Sequence, residues 1–420
     1  MIDDCPKGSN CPFWKILEVT RRLTASIELA PLLTEVMAVA CSVLNADRAS
    51  VFLYDSKKGE LYSKVATGEK EIRFAADHRS IVGHTMESRI IVNVPDCSAD
   101  PRHNPEVDRR TGYQTRSLLS VPLIGNEDEP VGVLQLLNKR AGPFGLRDEQ
   151  AAGVLAAQCA VVLQRAILLE DQLTKQKLER DLAVARDIQM RALPGELPQV
   201  EGFDLAGWTT PAEQTGGDIY DVAKIGKDQI ALMLGDATGH GIGPALSVTQ
   251  VRAMFRMALR LGADLQVLVE QLNAQLVADL PIGRFVTTFL GLLDTDRNYV
   301  TYHSAGQAPL LHFVSRTGSC NWLNATTVPL GIEESLILDR PTILKLDPGD
   351  IFALISDGVY EYQDKSMEQF GRQRVEKVLQ DAADRSCDNL LGTLREEVEQ
   401  FSSGAPQNDD MTILLVKREP

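Results

Sequence analysis

The chain has 420 residues, 44% hydrophobic and 24% charged, the composition of a globular protein with apolar mass for two or three cores. A formal net charge of −15 leaves no basic surplus of the kind that nucleic acid or an anionic membrane requires. Seven scattered cysteines, an acidic N-terminus without an apolar stretch, and apolar segments interrupted by polar residues point to a reducing cytoplasm, with no signal peptide and no membrane span.

Apolar residues recur at helical spacing over residues 14–45, through Ile16, Leu17, Val19 and Leu23, then Leu32, Leu33, Val36, Met37 and Ala40. Alternating runs follow: ASVFLYD, ELYSKVA, RIIVNVPD, SLLSVPLI and PVGVLQLLN. Helix plus antiparallel strands predicts an α+β domain over residues 14–165. Cys5 and Cys11 precede it without a second pair that would complete a metal site.

From Asp148 to Leu193 there is no proline, and Gly153 is the one glycine. Leu155, Cys159, Val162, Ala166, Leu169 and Leu173 alternate at spacings of four and three, as in a coiled-coil seam. The next in-phase positions, Gln176 and Arg180, are polar, and a second apolar track of Leu178, Leu182 and Ala185 takes over. Such a phase break changes local winding and makes a hinge. Residues 166–193 therefore read as a helical linker that pairs with a second copy; a helix lying on its own domain is the alternative. Pro194 and Pro198 end the helix, leaving 194–420 as the second domain.

Four acidic motifs mark that domain: Thr215-Gly-Gly-Asp218-Ile-Tyr-Asp221, Leu234-Gly-Asp236-Ala-Thr-Gly-His240-Gly241, Ile355-Ser-Asp357-Gly358 and Asn408-Asp409-Asp410-Met411-Thr412. The last three abut β-rich runs, QIALMLG, IFALIS and TILLV, so their acids fall at strand ends. Carboxylates gathered at one sheet edge repel one another unless cations lie between them, and oxygen ligands suit Mg²⁺ or Mn²⁺. Turn-capping is the plainer role for any one Asp-Gly, though not for four together.

The runs GGDIYD, GDATGHG, FVTTFLGLLD, YHSAGQAP, ISDGVYE and NDDMTILLV resemble the metal-dependent PPM (PP2C-like) serine/threonine phosphatases of the SpoIIE/RsbU branch, from about residue 180 onward and in the family's order. The resemblance implies an α-β-β-α sandwich, two Mn²⁺ or Mg²⁺ ions, and hydrolysis of phosphoserine or phosphothreonine. The substrate it implies is a phosphorylated STAS-type antagonist of an anti-sigma factor. By motif, Asp236 would bridge the metals, Asp218 would bind the second, and Asp357 with Asp409, preferred over Asp410, would bind the first. Ala237 would offer its carbonyl, and Glu179–Leu193 would be a regulatory helix preceding the catalytic sheet. Gln307 stands where relatives carry His, which removes any imidazole from that position; His240 reads as a turn residue. A catalytically silent adaptor that binds a regulatory protein is the alternative function.

Residues 14–165 resemble a GAF domain of the cyclic-nucleotide phosphodiesterase type, through Asn93-Val-Pro95-Asp96, Thr111–Ser117, and Asn138-Lys139 with Phe144 and Asp148-Glu149 at NKFDE spacing. In that family the Lys–Asp pair is structural. The resemblance implies a small-ligand sensor, a cyclic nucleotide among the candidates, with Thr115 and Arg116 as polar contacts. Asp294-Thr295-Asp296 reads as a hairpin turn, and Cys97 lies one residue too close to Arg102 for a cysteine-phosphatase loop.

Overall fold

A computed structural model describes residues 28–63, 72–104, 108–109 and 112–420. Residues 14–27, with the first part of the predicted helical spacing, and Cys5 and Cys11 lie outside them. The chain divides into two compact units, Met1–Lys177 and Leu178–Pro420.

In the first unit, α1 (Leu29–Leu44) turns into β1 (Ala46–Asp55) through Asn45, whose φ of 50° is a left-handed conformation that Asn tolerates. β2 (Glu60–Ser63), β3 (Ile72–Ala75), β4 (Val92–Val94), β5 (Leu118–Ile124) and β6 (Pro130–Lys139) complete an antiparallel sheet ordered β3-β2-β1-β6-β5-β4. The short helix α2 (Ile81–Ser88) is capped by Ser80, whose hydroxyl accepts from the Gly83 amide. Leu32, Leu33, Val36 and Ala40 of α1 pack with Leu119, Leu134 and Leu136 of the sheet.

The helix α3 (Leu146–Ala192) is 47 residues long, with Asp148 and Glu149 in its first turn. Its first turns complete this core: Leu155, Cys159, Leu163 and Ala166 are buried against it. The first half of the predicted seam therefore faces its own domain. A stripe at spacings of three and four does not say what covers it, and here the sheet and α1 do. From Glu170 to Asp181 every residue is exposed, Leu173 at 62% and Leu178 at 57%. One 18-residue window of α3 is apolar enough to cross a membrane, with mean hydropathy 1.8, and 39% of it is buried inside the protein. A core helix gives the same signature.

The second unit stacks two antiparallel sheets. One runs β14-β11-β10-β9-β8, from β8 (Asp218–Lys224), β9 (Gln229–Ala237), β10 (Val286–Asp294), β11 (Tyr299–Ala305) and β14 (Thr342–Lys345). The other runs β13-β12-β15-β16-β7, from β7 (Phe203–Thr210), β12 (Leu310–Val314), β13 (Ser319–Leu323), β15 (Ile351–Ile355) and β16 (Met411–Arg418). Leu232, Leu234, Phe289 and Tyr302 meet Phe352, Leu354, Leu414 and Val416 between the sheets. Helices α4 (Ile242–Arg260) and α5 (Leu265–Asp279) cover the first outer face; α7 (Arg372–Asp381) and α8 (Cys387–Ser402) cover the second, and α6 (Asp357–Tyr360) follows β15. Strands covered on both faces are apolar throughout, as the buried run Ile351–Ile355 is. The result is the α-β-β-α sandwich expected. The Asp294–Tyr299 hairpin turn is closed by the Asn298 amide on the Asp294 carbonyl.

Candidate metal centre

The four motifs meet at one edge of the sandwich. β8 opens with Asp218, β9 closes on Asp236 and Ala237, and the antiparallel register sets Asp218 directly opposite Asp236. From the other sheet, β15 leads into Asp357, while Asp409 and Asp410 lead into its neighbour β16.

These acids feel one another. Asp236 is pushed up to about 7, first by burial and then by the charges of Asp357, Asp409 and Asp410. Asp218 lies well above the usual carboxylate range through burial, then Asp236 and Asp410, with the Thr412 and Ser356 hydroxyls opposing. Asp357 is raised by burial, then by Asp409 and Glu361. Asp218 Oδ2 is buried with no hydrogen-bond partner. An orphaned carboxylate oxygen among like charges is what a hard divalent cation satisfies, so this donor set fits Mg²⁺ or Mn²⁺. The acids surround the edge without closing on one point: among the described residues, no three Asp, Glu, His or Cys side chains are spaced to hold an ion.

Asp409 and Asp410 divide the work. Asp410 Oδ1 accepts from the Ala212 amide at 2.7 Å, and its Oδ2 accepts from the amides of Gly217 at 2.5 Å and Asp218 at 3.2 Å. Its carboxylate is committed to shaping the Asp218 loop. Asp409 is exposed, and among the described residues its carboxylate accepts the Asp410 amide at 2.8 Å through Oδ1, leaving Oδ2 available. Two glycines allow the close approach. A Cβ on Gly217 would sit 2.7 Å from the Ala237 carbonyl oxygen, and one on Gly358 would collide with the Asp410 carbonyl.

Sequence reasoning missed Gln189. Leu182 and Ala185 are half-buried, and Gln189 continues that face, fully buried. Its Nε2 donates to the Gly216 carbonyl at 2.6 Å and its Oε1 accepts from the Gly216 amide at 3.1 Å. The end of α3 thus grips the backbone two residues before Asp218. A glutamine in phase with Leu182 and Ala185 was the available signal. The sequence also left Asp221 without a role. It is buried, with Arg256 Nε and Nη2 on it at 2.5 and 2.6 Å and Arg252 at 3.2 Å, tying β8 to α4.

His240 is 81% exposed at its side chain, near Glu213, between Gly239 and Gly241 at φ 92° and 91°. It is a turn residue. Gln307 is buried and accepts the Thr287 hydroxyl at 3.0 Å.

In the first unit the NKFDE residues form a clasp. Lys139 Nζ meets Asp148 Oδ2 at 2.5 Å, Phe144 is buried, and Asn93 Nδ2 donates to both Glu149 Oε1 and the Phe144 carbonyl. Asn138, at φ 50°, accepts the amides of Arg116 and Ser117 and donates to the Gln114 carbonyl and the Tyr113 hydroxyl. Thr115 spends its amide and hydroxyl on Asp108, and Arg116 has an exposed side chain. Cys97 is buried, its thiol pushed up to about 11 chiefly by burial, so it is no nucleophile at neutral pH.

The family described as Stage II sporulation protein E (SpoIIE) matches residues 226–419, and the GAF domain family matches residues 28–163. The chain joins a stretch similar to GAF domains to one similar to the SpoIIE family. It is 27% identical over 267 residues to Protein IcfG of Synechocystis sp., covering 57% of this chain and 41% of that protein. It is 31% identical over 170 residues to the probable 3′,5′-cyclic phosphodiesterase pde-5 of Caenorhabditis elegans, covering 37% and 23%. The chain therefore spans less than half the length of either relative. To the phosphoserine phosphatase RsbU of Bacillus subtilis it is 25% identical over 248 residues, covering 58% and 72%.

Proposed function

We propose that the chain is a metal-dependent phosphoprotein phosphatase, a hydrolase of phosphoserine or phosphothreonine. The observation that carries this is the Asp218–Asp236 cross-strand pair, with its orphaned oxygen, ringed by Asp357 and Asp409. Asp218, Asp236, Asp357, Asp409 and the Ala237 carbonyl would together hold two Mn²⁺ or Mg²⁺ ions. Such ions would supply Lewis acidity toward the phosphate and lower the pKa of a bound water. The protein's own part is positional. Asp410 fixes the Asp218 loop through its three amide contacts, and the Asp221–Arg256 pair fixes the strand behind it.

Gln189 is the handle by which α3 sets the position of the Asp218 loop. A ligand of the GAF domain, a cyclic nucleotide being the first to test, would act through α3, with Thr115 and Arg116 as candidate contacts and Leu178, Leu182 and Ala185 as its regulatory positions. The exposed stretch Glu170–Asp181 is where two copies would pair in a cytoplasmic homodimer. The substrate class that follows from the family resemblance of the motifs is a phosphorylated STAS-type antagonist.

Purified full-length chain with Mn²⁺ is assayed on p-nitrophenyl phosphate and on a phosphoserine-carrying STAS protein. Turnover of both, lost in Asp236→Asn, is the expected result. Binding of the phosphoprotein without turnover at any metal concentration would make the chain an adaptor instead.

A further inference from the structure

Behind the metal edge, on the helical face of the β13-β12-β15-β16-β7 sheet, lies a cavity of about 290 Å³. That volume is at the small end of the range for small-molecule sites. Trp208 and Ile413 form part of its floor, Val398 of α8 and Val359 of α6 its walls, and Met411, the residue after Asp410, its inner end. The lining mixes these apolar side chains with the polar Thr210, Tyr362, Glu399, Ser402 and Gln407, and one cation, Arg395, is set into it. The Arg395 guanidinium lies over the Trp208 ring, Cζ 4.4 Å from the centroid. Arg395 Nε is buried and has no hydrogen-bond partner.

Three of the other polar side chains of the lining, those of Tyr362, Gln407 and Ser402, donate to backbone carbonyls. The Tyr362 hydroxyl donates to the Ala405 carbonyl at 2.9 Å, and Gln407 Nε2 donates to the carbonyls of Thr210 and Asp409 at 2.9 and 2.8 Å. The Ser402 hydroxyl donates to the Glu399 carbonyl. Glu399, one turn after Arg395, also lines the cavity but is exposed, and among the described residues no ion pair joins the two. A desolvated donor on a stacked guanidinium, with no carboxylate on it, favours a negatively charged guest. The apolar walls favour a guest with a hydrophobic body.

We propose that this cavity binds a small organic anion, its carboxylate on Arg395 and its aromatic or aliphatic body between Val359, Val398 and Met411. The site is separate from the candidate metal ligands, yet it touches the segments that carry them. Val359 is two residues past Asp357, Met411 follows Asp410, and Gln407 is bonded to the Asp409 carbonyl.

Benzoate is the probe, and benzamide is its neutral match. Binding to the full chain is followed by saturation-transfer NMR and calorimetry, with no metal or phosphate present, so the result does not depend on the phosphatase reading. Benzoate should bind with a Kd of about 1 mM, benzamide and the Arg395→Gln variant showing about tenfold weaker binding or less. Val398→Trp, which fills the cavity, should abolish it. Circular dichroism checks that each variant is folded, and Arg395→Gln alone suffices if the Trp variant is not. No benzoate binding at about 10 mM, or equal binding by wild type and Arg395→Gln, would overturn the proposal.

Discussion

The GAF clasp and the acid edge of the second domain are both constellations of polar residues distant in sequence, and they differ in charge balance. The clasp pairs its charges and leaves one neutral atom, Asn93 Oδ1, buried without a partner, whereas the acid edge gathers like charges. Every polar group of the Asn138 amide has a backbone or hydroxyl partner, and Lys139 has Asp148. At the acid edge, Asp218 keeps a buried oxygen without one, and its neighbours are carboxylates. A charge-balanced cluster is architecture. A buried cluster of like charges is relieved by a bound cation or by protons, which marks it as a candidate place of chemistry.

The comparison breaks first at Asp236. Asp236→Asn should lower turnover of p-nitrophenyl phosphate by about a thousandfold or more, roughly 4 kcal/mol of barrier. The same change should raise the melting temperature of the metal-free protein, because it removes one charge from a repelling cluster. Loss of activity with a lowered melting temperature would mean that Asp236 is as satisfied as Asn138, and the contrast would fail.

Within the acid edge, the neighbours Asp409 and Asp410 should separate. Asp409→Asn is expected to weaken Mn²⁺ binding about tenfold to a hundredfold, read by calorimetry, with little change in stability. Asp410→Ala leaves three amides without their acceptor and should cost about 2–4 kcal/mol in urea unfolding. Equal effects of the two on Mn²⁺ affinity would return the ligand role to the pair.

On the architectural side, Asn138→Ala should destabilise the GAF domain by about 3 kcal/mol: it strands the amides of Arg116 and Ser117 and places a Cβ residue less tolerant of φ 50° there. Metal affinity of the phosphatase domain should not move.

How much of this was legible follows the same division. The strand-end acids could be read from the β-rich runs beside them, whereas the sandwich and the Lys139–Asp148 pair were legible through the family resemblance of the motifs. The role of Asp410 could not, since two adjacent aspartates look alike until backbone amides point at one of them. Nor could the fate of the seam on α3, where Leu155 and Cys159 turn inward to their own core while Leu173 stays exposed. A stripe reports that something covers it, and tertiary structure decides what.

Gln189 joins the two regimes, being itself fully satisfied while holding a loop that is not. Its two bonds are both to Gly216, so the side chain acts as a reciprocal clip on one peptide unit. Gln189→Leu keeps the helix and its buried volume but leaves the Gly216 amide and carbonyl without their partners. If the clip holds the Asp218 loop in the geometry that binds metal, the variant should raise the Mn²⁺ concentration for half-maximal turnover about tenfold. At saturating Mn²⁺ the rate should return close to wild type. Gln189→Glu retains the acceptor for the Gly216 amide and loses the donor, so it should fall between. A variant whose rate is low at every Mn²⁺ concentration would point to a disordered loop, and one unchanged throughout would remove α3 from control of the centre.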